Sequence, residues 1–217
     1  EQVRNAQRLI MPGVGAFDWA MARLNASGMR DALDDAVINR KTPVLGVCVG
    51  MQMMAERSDE GVEKGLGWIK GDVKAFDAMS ETPLPLPHMG WNDVAPVTDD
   101  CLFANIEAPK YYFLHSYCIV PQNAADTLAT ANYGNNFVSA VRHGNIFGTQ
   151  FHPEKSQAKG LQIYRNFAAE YARLQSERIA AFREYIADVN SGAYPQPQHN
   201  VPMPDAEFDA FKAGLGQ

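Results

Sequence analysis

The chain has 217 residues, 46% of them hydrophobic, and carries 19 Lys and Arg against 25 Asp and Glu for a net charge of −6. That length and apolar content suffice for one well-buried domain with room for an appendage. The acidic balance, without a basic run, excludes a nucleic-acid surface, and no apolar run of about 18 residues or charged-then-apolar leader marks a membrane span or signal peptide.

The sequence opens at Glu1 rather than Met, so a preceding segment is expected. Arg8 to Met11 reads as a short apolar strand running into the turn Pro12-Gly13-Val14-Gly15. Helices are expected from about Ala16 to Asn25 and from Met29 to Asn39. Val44 to Val47 then forms a strand buried on both faces. Strand, helix, strand, helix is the rhythm of a parallel α/β sheet. The middle differs: Trp68–Phe76, Gly90–Val97, Tyr111–Val120, Asp126–Tyr133, Val138–Arg142 and Ile146–Phe151 read as strands with little helix between them. A mixed central sheet flanked by helices is therefore expected. Ser156 to Glu170 returns to helix, with Leu161, Tyr164 and Phe167 at helical spacing.

Three cysteines, Cys48, Cys101 and Cys118, are widely spaced without a C-x-x-C pair. Neither a disulfide framework nor a metal site is expected, and a reducing cytoplasm fits best. Cys48 differs from the others. It lies in "PVLGVCVGMQ", where Gly46 and Gly50 flank it two residues away on each side, at the junction of an apolar strand and a helix-compatible stretch. This is G-x-S-x-G with Cys for Ser, the pattern of a nucleophile elbow. A helix N-terminus behind the thiol favours thiolate, and the N–H of Val49 is placed to meet an oxyanion. On this pattern alone a buried structural thiol fits equally well. A partner base decides.

That base is found in "GTQFHPEKS". On an extended chain His152 and Glu154 share a face, with Pro153 marking the strand end, so a carboxylate can fix the tautomer of an imidazole. A lone strand His is more often a core residue. Combined with the cysteine turn, the relay reading prevails, and Cys101 and Cys118, which lack such company, read as buried thiols.

Gly46-Val-Cys-Val-Gly-Met-Gln52 together with Gln150-Phe-His-Pro-Glu154 resembles the class I, triad-type glutamine amidotransferases. Within that class, "PGVGAF", "GVCVGMQ", "PHMGWN" and "FLHSY" are similar to the glutaminase subunits of imidazole glycerol phosphate synthases, and Met51 stands where relatives serving anthranilate or aminodeoxychorismate synthesis usually carry His. The resemblance runs from about Arg8 to Ala169. It implies the class I amidotransferase fold and hydrolysis of L-glutamine through a Cys48 thioester, with His152 as base and Glu154 orienting it. It also implies an oxyanion hole from the Val49 N–H and the turn at Val14, and a glutamine site lined by Gly15, Gln52, Glu60, His115, Ser116 and Tyr117, with Glu60 facing the substrate ammonium. No cofactor is implied. The implied partner is a (β/α)8-barrel cyclase subunit, in a heterodimer of histidine biosynthesis that involves neither nucleic acid nor membrane. His88, beside Met89-Gly90-Trp91, reads as shaping the partner-facing surface, with Trp91 equally readable as core.

The resembling family begins with a strand, a helix and a second strand that are not seen before Arg8, so the amidotransferase domain, residues 1–170, is expected to lack them and to expose sheet edge. Residues 171–217 are expected as an appendage: an amphipathic helix over Gln175–Val189, then an extended or disordered Pro-rich tail from "SGAYPQPQHNVPMP". The stretch "AAFREYIADVNSGAYPQPQH" is similar to the C-terminal tail of ketopantoate hydroxymethyltransferases; no barrel accompanies it and no activity is carried over. The alternatives are a glutaminase serving another synthase and a catalytically silent chain that only binds a partner.

Overall fold

In a computed structural model, residues 1–76, 84–196, 198 and 205–214 are described. The chain divides into two compact units, Glu1–Tyr171 and Ala172–Gln217.

The first unit is built on a seven-stranded mixed sheet. Its strands are β1 (Leu9–Gly13), β2 (Val44–Cys48), β5 (His88–Pro96), β6 (Lys110–His115), β8 (Thr127–Tyr133), β9 (Asn135–His143) and β10 (Ile146–Thr149), in the order β1-β2-β10-β9-β8-β5-β6. Strands β1, β2 and β10 are parallel, and every later pairing is antiparallel. The sequence dictates this division. Val44-Leu45-Gly46-Val47-Cys48 is apolar throughout, and all five residues are buried, as a strand covered on both faces requires. β5 and β6 instead alternate buried and more exposed residues over most of their length. The short α1 (Gln2–Asn5) precedes β1, and the β1–β2 connection carries α2 (Phe17–Ala26), α3 (Arg30–Asp34) and a π-helical turn at Asp35–Asn39.

A second sheet was not legible as such. β3 (Arg57–Ser58), β4 (Gly71–Ala75) and β7 (Tyr117–Pro121) form a three-stranded layer in the order β3-β4-β7. The expected single strand Tyr111–Val120 is broken at Ser116, so that β6 joins the large sheet and β7 the small one. Between the two sheets lies an aromatic cluster in which Phe76 contacts His88, His115, Tyr133 and Phe137 at centroid distances of 5.1–6.4 Å.

After β10 a 3₁₀ turn (Pro153–Lys155) leads into α5, which runs unbroken from Gln157 to Ser191. It buries Gly160, Ile163, Asn166, Phe167 and Glu170. The buried stripe is thus rotated from the expected one: Phe167 is core, but Leu161 is 49% exposed. The expected helix Gln175–Val189 is not a separate element but the continuation of α5, because nothing from Gln157 to Ser191 breaks the helical pattern. In the second unit that continuation leaves Ile179, Phe182, Tyr185, Ile186 and Val189 exposed, and α6 (Asp205–Gly214), not expected from the sequence, follows. Half of the expected Pro-rich extended tail, residues 197 and 199–204, lies outside the described residues.

Candidate active site

The three parallel strands end side by side, and each delivers something to the same place. β1 delivers the turn Val14-Gly15, β2 delivers Cys48, and the chain leaving β10 delivers Gln150 and His152; Gly13 is the register partner of Cys48. The carboxyl ends of parallel strands are where open α/β sheets hold their ligands. A cavity of about 240 Å³ lies there, lined by Val14, Gly15, Cys48, Val49, Gln52, Glu60, Pro87, Leu114, His115, Ser116, Tyr117, His152 and Lys155. That is the scale of one small polar molecule. Every residue of the implied catalytic, oxyanion and glutamine-binding set lines it except Glu154, which sits behind His152.

Cys48 adopts φ 53° and ψ −115° as the N-cap of α4 (Val49–Gln52). A positive φ at a non-glycine residue stores strain, which Cys48 shares with Lys41, Asn105, Ala108 and Gln157. The flanking glycines permit it. A Cβ on Gly46 would lie 2.7 Å from the backbone of Gly50 and Met51, and one on Gly50 would lie 1.8 Å from the Met11 carbonyl oxygen of β1. The turn folds back on β2 and α4 packs against β1 at distances no side chain allows. Gly15 serves differently: its φ is +96° with open space around it, so it supplies backbone conformation rather than close approach.

The pull toward thiolate expected from the helix start is outweighed by burial. Burial pushes the Cys48 thiol up to about 11, against the opposing pull of the Val49 N–H hydrogen bond and of Gln150, and the charges of Glu154 and Glu60 add to the rise. A helix of four residues behind a nearly buried sulfur does not offset its desolvation. Cys48 therefore rests as the protonated thiol, its sulfur 3.7 Å from the Leu114 carbonyl oxygen and 3.6 Å from Gln150 Nε2.

His152 and Glu154 do meet, but not on a strand. β10 ends at Thr149, and Pro153 starts a 3₁₀ turn for which His152 is the N-cap, because the fixed φ of proline suits a first helical position. His152 Nδ1 lies 2.7 Å from Glu154 Oε1, so the ring donates there and its Nε2 is left as the acceptor. That Nε2 is buried with no hydrogen-bond partner among the described residues. The backbone of His152 is fixed from two sides: its N–H donates to the Tyr112 carbonyl, and its carbonyl accepts from Ser156 Oγ at 2.6 Å. Tyr164 Oη reaches Glu154 Oε2 at 3.5 Å.

A second histidine pair supports the cavity wall. His115 Nδ1 donates to the Tyr117 carbonyl oxygen at 2.8 Å, so its Nε2 must accept. His88 Nδ1 then donates to that Nε2 at 2.9 Å, leaving His88 Nε2 to accept from Asn92 Nδ2 at 3.3 Å. The carbonyl of Tyr117 also accepts from Gln52 Nε2, which donates in turn to Gln150 Oε1. Both rings are held neutral: burial pushes His88 down to about 4 and His115 down to about 3, the latter opposed by its bond to Tyr117. His88 is thus buried rather than surface-shaping, because it stacks between Phe113 and Tyr133; its neighbours Met89 and Trp91 are the exposed members of that stretch.

Gln150 is the site residue that sequence reasoning passed over, although it stands two positions before His152 in the same short stretch. Among the described residues no cluster of His, Cys, Asp and Glu could hold a metal ion, and the cysteines are free, with Cys48 and Cys118 buried and Cys101 half-buried. No helix among the described residues is long and apolar enough to cross a membrane.

The family model for glutamine amidotransferase class-I matches residues 2–171. Imidazole glycerol phosphate synthase subunit HisH of Leptospira interrogans is 50% identical over 171 residues, which are 78% of this chain and 84% of that protein. The protein of the same name from Bdellovibrio bacteriovorus is 51% identical over 170 residues, 77% of this chain and 83% of its own. A solved structure of the glutaminase domain of Trypanosoma brucei CTPS, 18% identical, covers 79% of this chain and 73% of its own with a TM-score of 0.54, a likeness of fold.

Proposed function

The chain belongs to the class-I glutamine amidotransferase family, and from that premise we propose that it hydrolyses L-glutamine to glutamate and ammonia and supplies the ammonia to a (β/α)8-barrel cyclase partner that makes imidazole glycerol phosphate in histidine biosynthesis. Relatives at about half identity over most of the chain carry the name of that synthase subunit, which favours this reading over service to another synthase.

The observation that carries the chemistry is the convergence, in one cavity, of a strained cysteine with an imidazole whose far nitrogen is tied to a carboxylate. Cys48 Sγ attacks the side-chain carbonyl carbon of glutamine. With its thiol near 11, about one molecule in 10⁴ holds free thiolate at neutral pH, so proton transfer to His152 Nε2 accompanies attack rather than preceding it. Glu154 steadies the imidazolium that results. The tetrahedral oxyanion is met by the N–H groups of Val49 and Val14. His152 returns its proton to the departing nitrogen, ammonia leaves, and water attacks the thioester to give glutamate and restore the thiol.

Binding falls to the rest of the wall. Glu60 receives the substrate ammonium, and the backbone of Gly15 and of His115-Ser116-Tyr117, with Gln52 behind it, frames the chain of the amino acid. The His88–His115 pair keeps the Tyr117 carbonyl aimed, since both of its donors are locked in place.

The test is product formation with the cyclase partner. Imidazole glycerol phosphate should form from glutamine only when both chains are present, and from ammonium salts with the cyclase alone. Glutamine-dependent product without this chain, or no product with it, would refute the proposal.

A further inference from the structure

Glu60 is held by a reciprocal clasp that the sequence gives no hint of. Its Oε2 accepts the Phe17 N–H at 2.8 Å, at the start of α2 and directly after the Val14-Gly15 turn. One residue further along α2, Asp18 reaches back to the loop that carries Glu60: its Oδ2 accepts the Val62 N–H at 2.9 Å and its Oδ1 the Glu63 N–H at 3.0 Å. The Glu60 N–H is taken by Ser58 Oγ at 3.1 Å. Gly61 completes the arrangement. A Cβ there would lie 2.0–2.3 Å from the three carboxylate atoms of Asp18, so the loop passes over the carboxylate only because Gly61 has no side chain.

We propose that Asp18 is a positioning residue for glutamine recognition: by gripping the N–H groups of Val62 and Glu63 it fixes the loop so that the Glu60 carboxylate stands in the cavity wall, where it reads the substrate ammonium. The inference rests on the assignment of Glu60 to that ammonium. Two hydrogen bonds from backbone N–H groups to one ionised carboxylate are of the stronger, charge-assisted kind. The alternative use of Asp18, favourable charge in the first turn of α2, needs neither the bidentate grip nor a glycine opposite it. Oε1 of Glu60 accepts no hydrogen bond among the described residues, whereas Oε2 is engaged by Phe17. One oxygen thus anchors the carboxylate and the other is available to a ligand.

The test uses the full chain carrying Cys48→Ala, which binds without turnover. Calorimetry compares L-glutamine with 4-carbamoylbutanoate, the same molecule without its α-ammonium. Asp18→Ala should weaken glutamine about tenfold and leave 4-carbamoylbutanoate within about twofold, because only the ammonium contact is misplaced. Asp18→Asn, which keeps one acceptor oxygen, should fall between and serves as the folded variant if Asp18→Ala is unstable. Gly61→Ala should reproduce the pattern by displacing the carboxylate, and adding it to Asp18→Ala should cause no further loss.

Equal weakening of both ligands would show a merely structural role and overturn the inference. So would undiminished glutamine binding in both Asp18 variants while Glu60→Gln loses it, an outcome that leaves the assignment of Glu60 intact. Undiminished glutamine binding in Glu60→Gln would remove that assignment and the inference with it.

Discussion

Lowering the pH tests the histidine pair beneath the cavity. His88 and His115 are 2% and 6% exposed and share a hydrogen bond, so a proton added to His115 Nε2 meets the His88 N–H, and one added to His88 Nε2 meets the Asn92 amide N–H. Burial pushes His88 to about 4 and His115 to about 3. In the unfolded chain both return to near 6.5. Between about pH 6.5 and 4 the unfolded state therefore binds more protons, and stability falls as the pH drops. At pH 5 each unfolded imidazole lies about 1.5 units below its pKa, worth about 2 kcal/mol at 1.36 per unit, and the two together about 4 kcal/mol. This figure depends on the rings staying neutral in the folded state and hardly on how far they are depressed. Asp35, Glu56 and Asp72 are held below their usual values by Asn39, Lys70 and Arg57 first, so they add to the loss only toward the acid end of that window. Urea unfolding at pH 7.5 and 5 should show the loss as a midpoint shift of roughly 1.5–2 M. His88→Asn, whose amide nitrogen can still donate to His115, should halve it. A loss under about 1 kcal/mol, or the same loss in His88→Asn, would refute the reasoning.

Gly50→Ala should abolish soluble, cooperatively folding protein or cost well over ~3 kcal/mol, since its Cβ would stand 1.8 Å from a backbone oxygen that cannot move aside; thermal unfolding reads it. Alkylation of Cys48 by iodoacetamide should keep rising with pH past 9, as a thiol near 11 requires; a plateau below pH 8 would contradict a protonated resting nucleophile. Glu154→Gln should slow glutamine turnover less than His152→Ala, because orientation is secondary to proton transfer, and steady-state ammonia release compares them.

The Cys48 turn and the His152–Glu154 pairing were legible because each is written in a few consecutive residues. The glycines around Cys48 have no other use, and His152 and Glu154 sit two apart whatever backbone joins them; the strand expected there became a 3₁₀ turn without separating the pair. The parallel half of the sheet was legible for the same reason, since buried strands announce themselves by unbroken apolar runs. What escaped depends on distance along the chain. Nothing around Ser116 signals that β6 and β7 part into different sheets, because that break is imposed by pairing partners β5 and β4. Asp18 looks like an ordinary first-turn acid, and its partners are 44 and 45 residues away. The rise of the Cys48 thiol was not legible, because a helix terminus is visible in sequence and the burial of a sulfur is not.

The most direct measurement is ammonia release from glutamine by the chain in complex with the proposed cyclase partner, comparing Cys48→Ala with Cys101→Ala. Only Cys48 has the strained backbone, the glycine flanks and a place in the cavity. Cys48→Ala should abolish release while the complex still forms, and Cys101→Ala should retain it. Equal loss in both variants, or ammonia release surviving in Cys48→Ala, would contradict a thioester mechanism at Cys48.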